Sequence, residues 1–426
     1  MRVAIFTTDS REHFGDYQKK YPYFGTAPTG LLEGFAMLQA EGETPGSRMK
    51  DSDFEIHIIS CTQQKMPAPE KIAPNIWFHS LHVPKLGWLR SGYLGCTLAV
   101  RKKLREIKPD IIHAQGTERD CAVSAVLSHY PKILTIHGNL RLIKRQVGFR
   151  PFSAMWFQTF LEALVVPQFD GIICITNYTL KAVEHEVPRT WVVPNAVDPS
   201  FLALGEERVK KQESKKVENP DNASDFDSKP SDLLTFPPST PIPIILCVAN
   251  IDARKNQNVL IKALDFTAER MPFELRLFGK CDEGEYGLEF EELIAARPWC
   301  SYGGMIGREE LRSEFGKSSM LVLPTHEDNC PMVILEAQAA GVPVIASNVG
   351  GIPDLVEDEI NGLMIDPNRA ESISGAVERL LQDSTLCERL AGVAYLRALE
   401  RFHPIIIATR HLEIYQEMLR KRKASS

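Results

Sequence analysis

The stretch LVLPTHEDNCPMVILEAQAAGVPVIAS, residues 321–347, passes from strand to loop to helix and back to strand. An apolar run, 320–324, ends at Pro324, and the polar loop 325–329 follows. Pro331 opens a helix, where its missing N–H is no loss because the first helical amides lack intrahelical partners. The helix stops at Gly341, and VPVIAS forms the next strand. This is one βαβ unit of a parallel sheet. The turn through Asn329, Cys330, Pro331, Met332 and Val333 brings backbone to a helix N-terminus, where N–H groups and the dipole attract a phosphate. Asp328, with Glu327 beside it, can accept hydrogen bonds from sugar hydroxyls. Glu336, about one and a half turns into the helix, can hold a vicinal diol such as ribose. Taken singly, each carboxylate reads as well as a helix cap or a solvated side chain. The loop and both carboxylates together favour a ligand.

Working outward, the same alternation fills the chain. Apolar runs at 3–6, 54–60, 76–81, 110–114, 132–138, 171–176 and 190–194 precede a second set at 242–250, 273–279, 320–324, 343–347 and 362–366. Short runs rich in Ile, Val and Leu, separated by helical stretches, mark parallel strands covered on both faces. At 426 residues the chain exceeds one hydrophobic core. The expectation is α/β, with two Rossmann-like, doubly wound parallel-sheet domains facing an interdomain cleft. Their bounds are expected at 1–195 and 196–404. Residues 205–241, rich in Lys, Glu, Ser, Asp and Pro, read as a disordered insertion.

The motifs of 321–367 resemble the donor-site signature of retaining glycosyltransferases of family 4, which have the GT-B fold. That signature is an acidic residue, seven residues, then Glu, followed by A-x-A-x-G-x-P-V-I-A-S and a Gly-Gly-x-Pro turn. Here Asp328 and Glu336 are followed by AQAAGVPVIAS (337–347), GGIPDLV (350–356) and NGLMIDP (361–367). The resemblance implies transfer of a sugar from a UDP- or GDP-type nucleotide-diphosphate donor to an acceptor it does not name, with retention of configuration. Asp328 or its neighbour Glu327 would orient the sugar and Glu336 would hold the ribose.

The family's Gly-Arg-Leu-x-x-x-Lys-Gly motif falls on ANIDARKN (249–256). Lys255 stands on its lysine, while Asn250 replaces its arginine and Arg254 offers a second cation. The resemblance assigns Lys255 to the donor diphosphate. It also expects glycines after the first strand, where Gly30 in YFGTAPTGLLEGFAML (23–38) is the candidate. His137, at the end of KILTIHG, is implied beside the reacting sugar. His113, in DIIHAQG, is an acceptor-side or scaffold residue. The last helix, near 405–426, is implied to return to the first domain. Two rivals stay open: a sugar-nucleotide epimerase and a non-catalytic scaffold.

A net charge of −6 argues against nucleic acid as a partner. Nine scattered cysteines with no CxxC pair read as reduced thiols, not as a disulfide frame or a zinc site. Asp51-Ser-Asp53 and Asp225-Phe-Asp227 look like DxD metal motifs but do not sit at strand ends, so neither metal nor cofactor is expected. No signal peptide and no apolar run of membrane-spanning length is present, which fits a cytoplasmic enzyme. Basic and aromatic residues interleave over 141–160. That pattern fits either a helix with one buried face or a peripheral contact on the inner face of a membrane.

Overall fold

The computed structural model describes residues 1–42, 54–117, 119–148, 153–218 and 242–425. They form two units, Met1–Asp198 with Arg401–Ser426, and Pro199–Glu400. The division thus falls at 198/199 where the sequence suggested 195/196, and the return to the first unit begins at Arg401.

In the first unit, strands β1 (Arg2–Phe6), β2 (Glu55–Thr62), β3 (Lys71–Ala73), β4 (Ile76–His82), β5 (Ile111–Gln115), β6 (Lys132–Ile136), β7 (Gly171–Cys174) and β8 (Thr190–Val192) form one sheet. Its order is β3-β4-β2-β1-β5-β6-β7-β8. All pairs are parallel except β3 with β4. The period-2 alternation of strand side chains splits the core. Val3 and Ile5 of β1 join Phe35, Leu412 and Tyr415 on one face. Ala4 and Phe6 join Cys96, Val100 and Leu134 on the other. The helix Pro404–Ser425 therefore belongs to this sheet. It lies so close to the helix Thr26–Gly42 that a Cβ on Gly34 would stand 2.1 Å from the Pro404 carbonyl oxygen.

In the second unit, β9 (Ile244–Val248), β10 (Glu274–Phe278), β11 (Cys300–Tyr302), β12 (Met320–Leu323), β13 (Val344–Ser347) and β14 (Leu363–Ile365) form a parallel sheet. Its order is β11-β10-β9-β12-β13-β14. The order reverses between β9 and β12. In open α/β sheets ligands bind beyond the carboxyl ends of strands at such a switch point, and both expected donor loops follow these two strands.

Two expectations change. Residues 205–218, expected as part of a disordered insertion, continue the helix Pro199–Glu218. Its early turns carry an apolar face hidden within a charged composition. Phe201 and Leu202 are buried. A Cβ on Gly205 would meet the Ala339 carbonyl at 2.1 Å, and Arg208 donates to the carbonyls of Phe315 and Ser318 at 2.8 and 3.1 Å. Residues 219–241 lie outside the described residues, as do both DxD-like motifs. Gly30 is not a loop glycine but sits within the helix Thr26–Gly42. Pro28 is compatible with the first turn, so the helix begins before Gly30. The missing side chain of Gly30 serves packing, because a Cβ there would lie 2.7 Å from the Ala196 carbonyl oxygen.

Candidate functional site

The turn after β9 and the loop after β12 meet at the switch point of the second sheet. Asp252 shapes the first, accepting from the Lys255 backbone N–H through its carbonyl and its Oδ1, each at 3.0 Å. Asn256 then takes a left-handed φ of 65°. This is the place of the motif's final glycine, and asparagine tolerates that conformation better than most side chains. The turn brings two cations onto the two carboxylates of the other loop. Lys255 Nζ pairs with Asp328 Oδ2, and Arg254 Nη1 lies 3.5 Å from Glu327 Oε2 and 3.1 Å from the Glu327 carbonyl. Lys255 and Glu327 are both buried. Burial, and next the charge of Asp328, push the Glu327 carboxyl above its usual range, with Arg254 and Lys255 opposing.

Sequence reading missed Thr325, which stitches the two loops together. Its buried hydroxyl lies 2.8 Å from the Glu327 carbonyl and 3.1 Å from the Arg254 carbonyl. The His326 N–H donates to the same Arg254 carbonyl at 2.8 Å. Gly350 explains the Gly-Gly-x-Pro turn. It has φ +56°, and a Cβ there would lie 2.1 Å from the Asp328 carbonyl oxygen. The Gly351 N–H donates to that oxygen at 2.9 Å. The turn therefore holds the backbone of Asp328 from behind.

The helix Met332–Ala339 starts at Pro331 with no side-chain cap. Asn329, Cys330, Pro331, Met332 and Val333 thus line its N-terminal turn, and Glu336 is buried within it. Asn250 is exposed at the end of β9, and its carbonyl accepts from Gln257 Nε2 at 2.9 Å. With its side chain uncharged, the cations of this turn are Arg254 and Lys255. Paired carboxylates, two cations and a helix N-terminus within one switch point can bind a diphosphate and the polyol groups attached to it.

In the first unit, His137 follows β6, and its Nε2 lies 2.7 Å from Gln115 Oε1 at the end of β5. The Gln115 amide nitrogen lies 3.2 Å from His113 Nε2. His113 in turn meets the Tyr415 hydroxyl at 2.6 Å and the Thr135 hydroxyl at 2.7 Å. His113 is fully buried. It joins β5 and β6 to the helix Pro404–Ser425, the arrangement of the scaffold alternative offered for it. Gln115 was not legible as functional, yet it sets His137. Its carbonyl takes the Nε2 proton and makes Nδ1 the acceptor nitrogen of the ring. Gln115→Leu is expected to lower turnover about tenfold with a smaller change in KM, through loss of one oriented hydrogen bond. Steady-state kinetics check this.

Burial pushes His137 and His411 down to about 4 and His113 further below its ordinary range. Their unfolded counterparts titrate near 6.5. Between these values the unfolded chain binds protons that the folded chain does not, so stability is full above about pH 6.5 and falls as pH drops toward about 4. His411, 4% exposed, accounts for on the order of 3 kcal/mol of this loss. Urea unfolding of the first unit at several pH values should show the decline, and His411→Leu should flatten it.

Within 141–160, residues 149–152 lie outside the described residues. Arg141 is held by buried Glu162 at 3.3 Å and by Glu186 at 2.7 Å. Lys144 lies 5.8 Å from the centre of the Trp156 ring. Met155, Phe160 and Leu164 on the helix Ala154–Val165 remain exposed. No helix among the described residues is long and apolar enough to cross a membrane.

Two family models match the chain, Glycosyltransferase Family 4 over residues 46–201 and Glycosyl transferases group 1 over 237–397. An uncharacterized glycosyltransferase of Methanocaldococcus jannaschii is 25% identical over 80% of this chain and 84% of its own length. A D-inositol 3-phosphate glycosyltransferase of Xylanimonas cellulosilytica is 28% identical over 43% of this chain. The chain spans under half of the first curated relatives it matches, 44% of each. Among solved structures, sucrose-phosphate synthase of Thermosynechococcus elongatus superposes with a TM-score of 0.71 at 19% identity, covering 100% of both chains. Anabaena HepE, solved with UDP and glucose, gives 0.65 at 16% identity, over 98% of this chain and 100% of its own. With its two parallel-sheet units and both halves of the family matched in order, the chain belongs to the family 4 glycosyltransferases of the GT-B fold.

Proposed function

We propose that this protein transfers a sugar from a nucleotide-diphosphate donor to an acceptor hydroxyl, with retention of anomeric configuration and without a metal on the diphosphate. The observation that carries the reading is the pairing of Lys255 with Asp328 and Arg254 with Glu327 beside the uncapped N-terminus of the helix Met332–Ala339. A departing diphosphate gathers negative charge as the glycosidic bond breaks. Lys255, Arg254 and the helical amides are oriented to receive it before reaction, so little reorganisation is needed. Asp328 then exchanges its lysine partner for sugar hydroxyls, and Glu336 takes the ribose diol. We assign His137, neutral and oriented by Gln115, as the catalytic candidate of the first unit. The solved relative carrying UDP and glucose supports uridine as the first base to test. We place the enzyme in the cytoplasm, with the exposed Met155 and Phe160 of the helix Ala154–Val165 as part of a peripheral lipid contact through 141–160.

The test is thermal unfolding with UDP, GDP, ADP and their sugars, in chelator. One base should raise the melting temperature selectively, because a ligand bound only to the native state stabilises it. The matching sugar nucleotide should then be consumed only when an acceptor is present. Consumption without acceptor, yielding a new free sugar nucleotide, would identify an epimerase instead.

A further inference from the structure

We propose that Cys61, Cys96 and Asp120 form a binding site for one zinc-class divalent cation in the first unit. The three come from separate elements. Cys61 lies near the end of β2, Cys96 in the first turn of the helix Leu94–Ile107, and Asp120 at the start of the helix Asp120–Val126. Their ligand atoms all lie within 4.8 Å of one another. All three are buried, Cys96 completely and the other two with 6% of their surface exposed.

The chemistry follows from that burial. A carboxylate in an apolar interior is costly unless it is paired or coordinates a metal. Asp120 faces two thiols within a cluster that also contains Val83, Trp88 and Val100. Asp120 accepts from the Cys61 thiol, and burial holds its carboxyl above the usual range against the charge of Arg119, which also pairs with Glu12 at 2.9 Å and lies 4.7 Å from the centre of the Trp88 ring. Two sulfurs and one carboxylate oxygen suit zinc, whereas magnesium and calcium call for oxygen ligands. Tetrahedral zinc with such ligands separates them by roughly 3.5 to 3.8 Å, inside the 4.8 Å within which the three atoms stand. Binding releases the two thiol protons to solvent, Asp120 binds as the carboxylate, and a water takes the fourth position. The bound cation ties the end of β2 to the starts of two helices on one face of the sheet. It lies in a different unit from Lys255 and Asp328. Spacing could not reveal it, because the ligands are far apart in the chain and form no CxxC pair.

The full chain is titrated with Zn²⁺ under reducing conditions, dialysed, and its metal content measured by plasma mass spectrometry. One zinc per chain is expected for wild type and for Cys281→Ala, a thiol of the second unit. Cys96→Ala and Asp120→Asn should retain at least tenfold less. Cobalt substitution of wild type, which does not depend on any variant folding, should give thiolate-to-cobalt charge-transfer absorption and the strong visible bands of a tetrahedral ion. Retention of zinc by Cys96→Ala, or a cobalt spectrum without thiolate bands, overturns the proposal. So does a wild-type protein two hydrogens lighter with a Cys61–Cys96 disulfide in place of metal.

Discussion

Lys255→Ala is expected to lower kcat/KM for the donor by about 10²- to 10³-fold, the loss seen when one preorganised group facing a developing anion is removed. Lys255 is buried in the turn after β9, and its ammonium already stands against Asp328. Removing it takes away the charge meant for the diphosphate and leaves Asp328 beside that anion without a counter-charge. Both effects oppose donor binding, and the first deepens as the leaving group gains charge, so kcat should fall as well as affinity. Lys255→Arg should recover only part of the activity. A guanidinium is larger, and Arg254 already occupies the adjoining space, 3.1 Å from the Glu327 carbonyl. Initial rates over a range of donor concentrations separate the two terms. A stability loss of about 1–3 kcal/mol should accompany the alanine variant, because a partly buried carboxylate loses its partner.

Glu336→Ala should act differently. Glu336 sits inside the helix Met332–Ala339, away from the breaking bond, and is assigned to the ribose diol. Two charge-assisted hydrogen bonds made equally in ground and transition states raise affinity without raising kcat. Their loss should weaken nucleotide binding by about 10- to 100-fold while kcat at saturating donor changes little. Glu336→Gln, which keeps one acceptor, should fall between. Calorimetric titration of the free nucleoside diphosphate measures this without any acceptor. Unchanged affinity in Glu336→Ala would remove the ribose role.

How much of this was legible depended on where the signal lay. Each expected strand run has its strand, and a central one such as β12 is continuously apolar because both faces are covered. The two strands without an expected run, Lys71–Ala73 and Cys300–Tyr302, are three residues long and end their sheets, where only one neighbour constrains them. The helical part of 205–218 was obscured by composition: Phe201, Leu202, Gly205 and Arg208 make a helical face, but the stretch was weighed as a whole. Lys255, Asp328 and Glu336 could be singled out because they belong to motifs of fixed spacing in the loops and the helix that follow β9 and β12. Thr325 and Gln115 could not. Their roles come from partners distant in the sequence, Arg254 for one and His137 with His113 for the other. The same holds for the bonds of His113, whose partner Tyr415 lies in the last helix.

The central claim is that the switch point of the second sheet binds the diphosphate of a sugar nucleotide. The most direct measurement is calorimetric titration of UDP and GDP, in chelator, into wild type and Lys255→Ala. One nucleotide should bind wild type at one site per chain with a micromolar to millimolar Kd, and should bind Lys255→Ala at least tenfold more weakly. Equal affinity in both proteins, or no binding of either nucleotide to wild type, would contradict the claim.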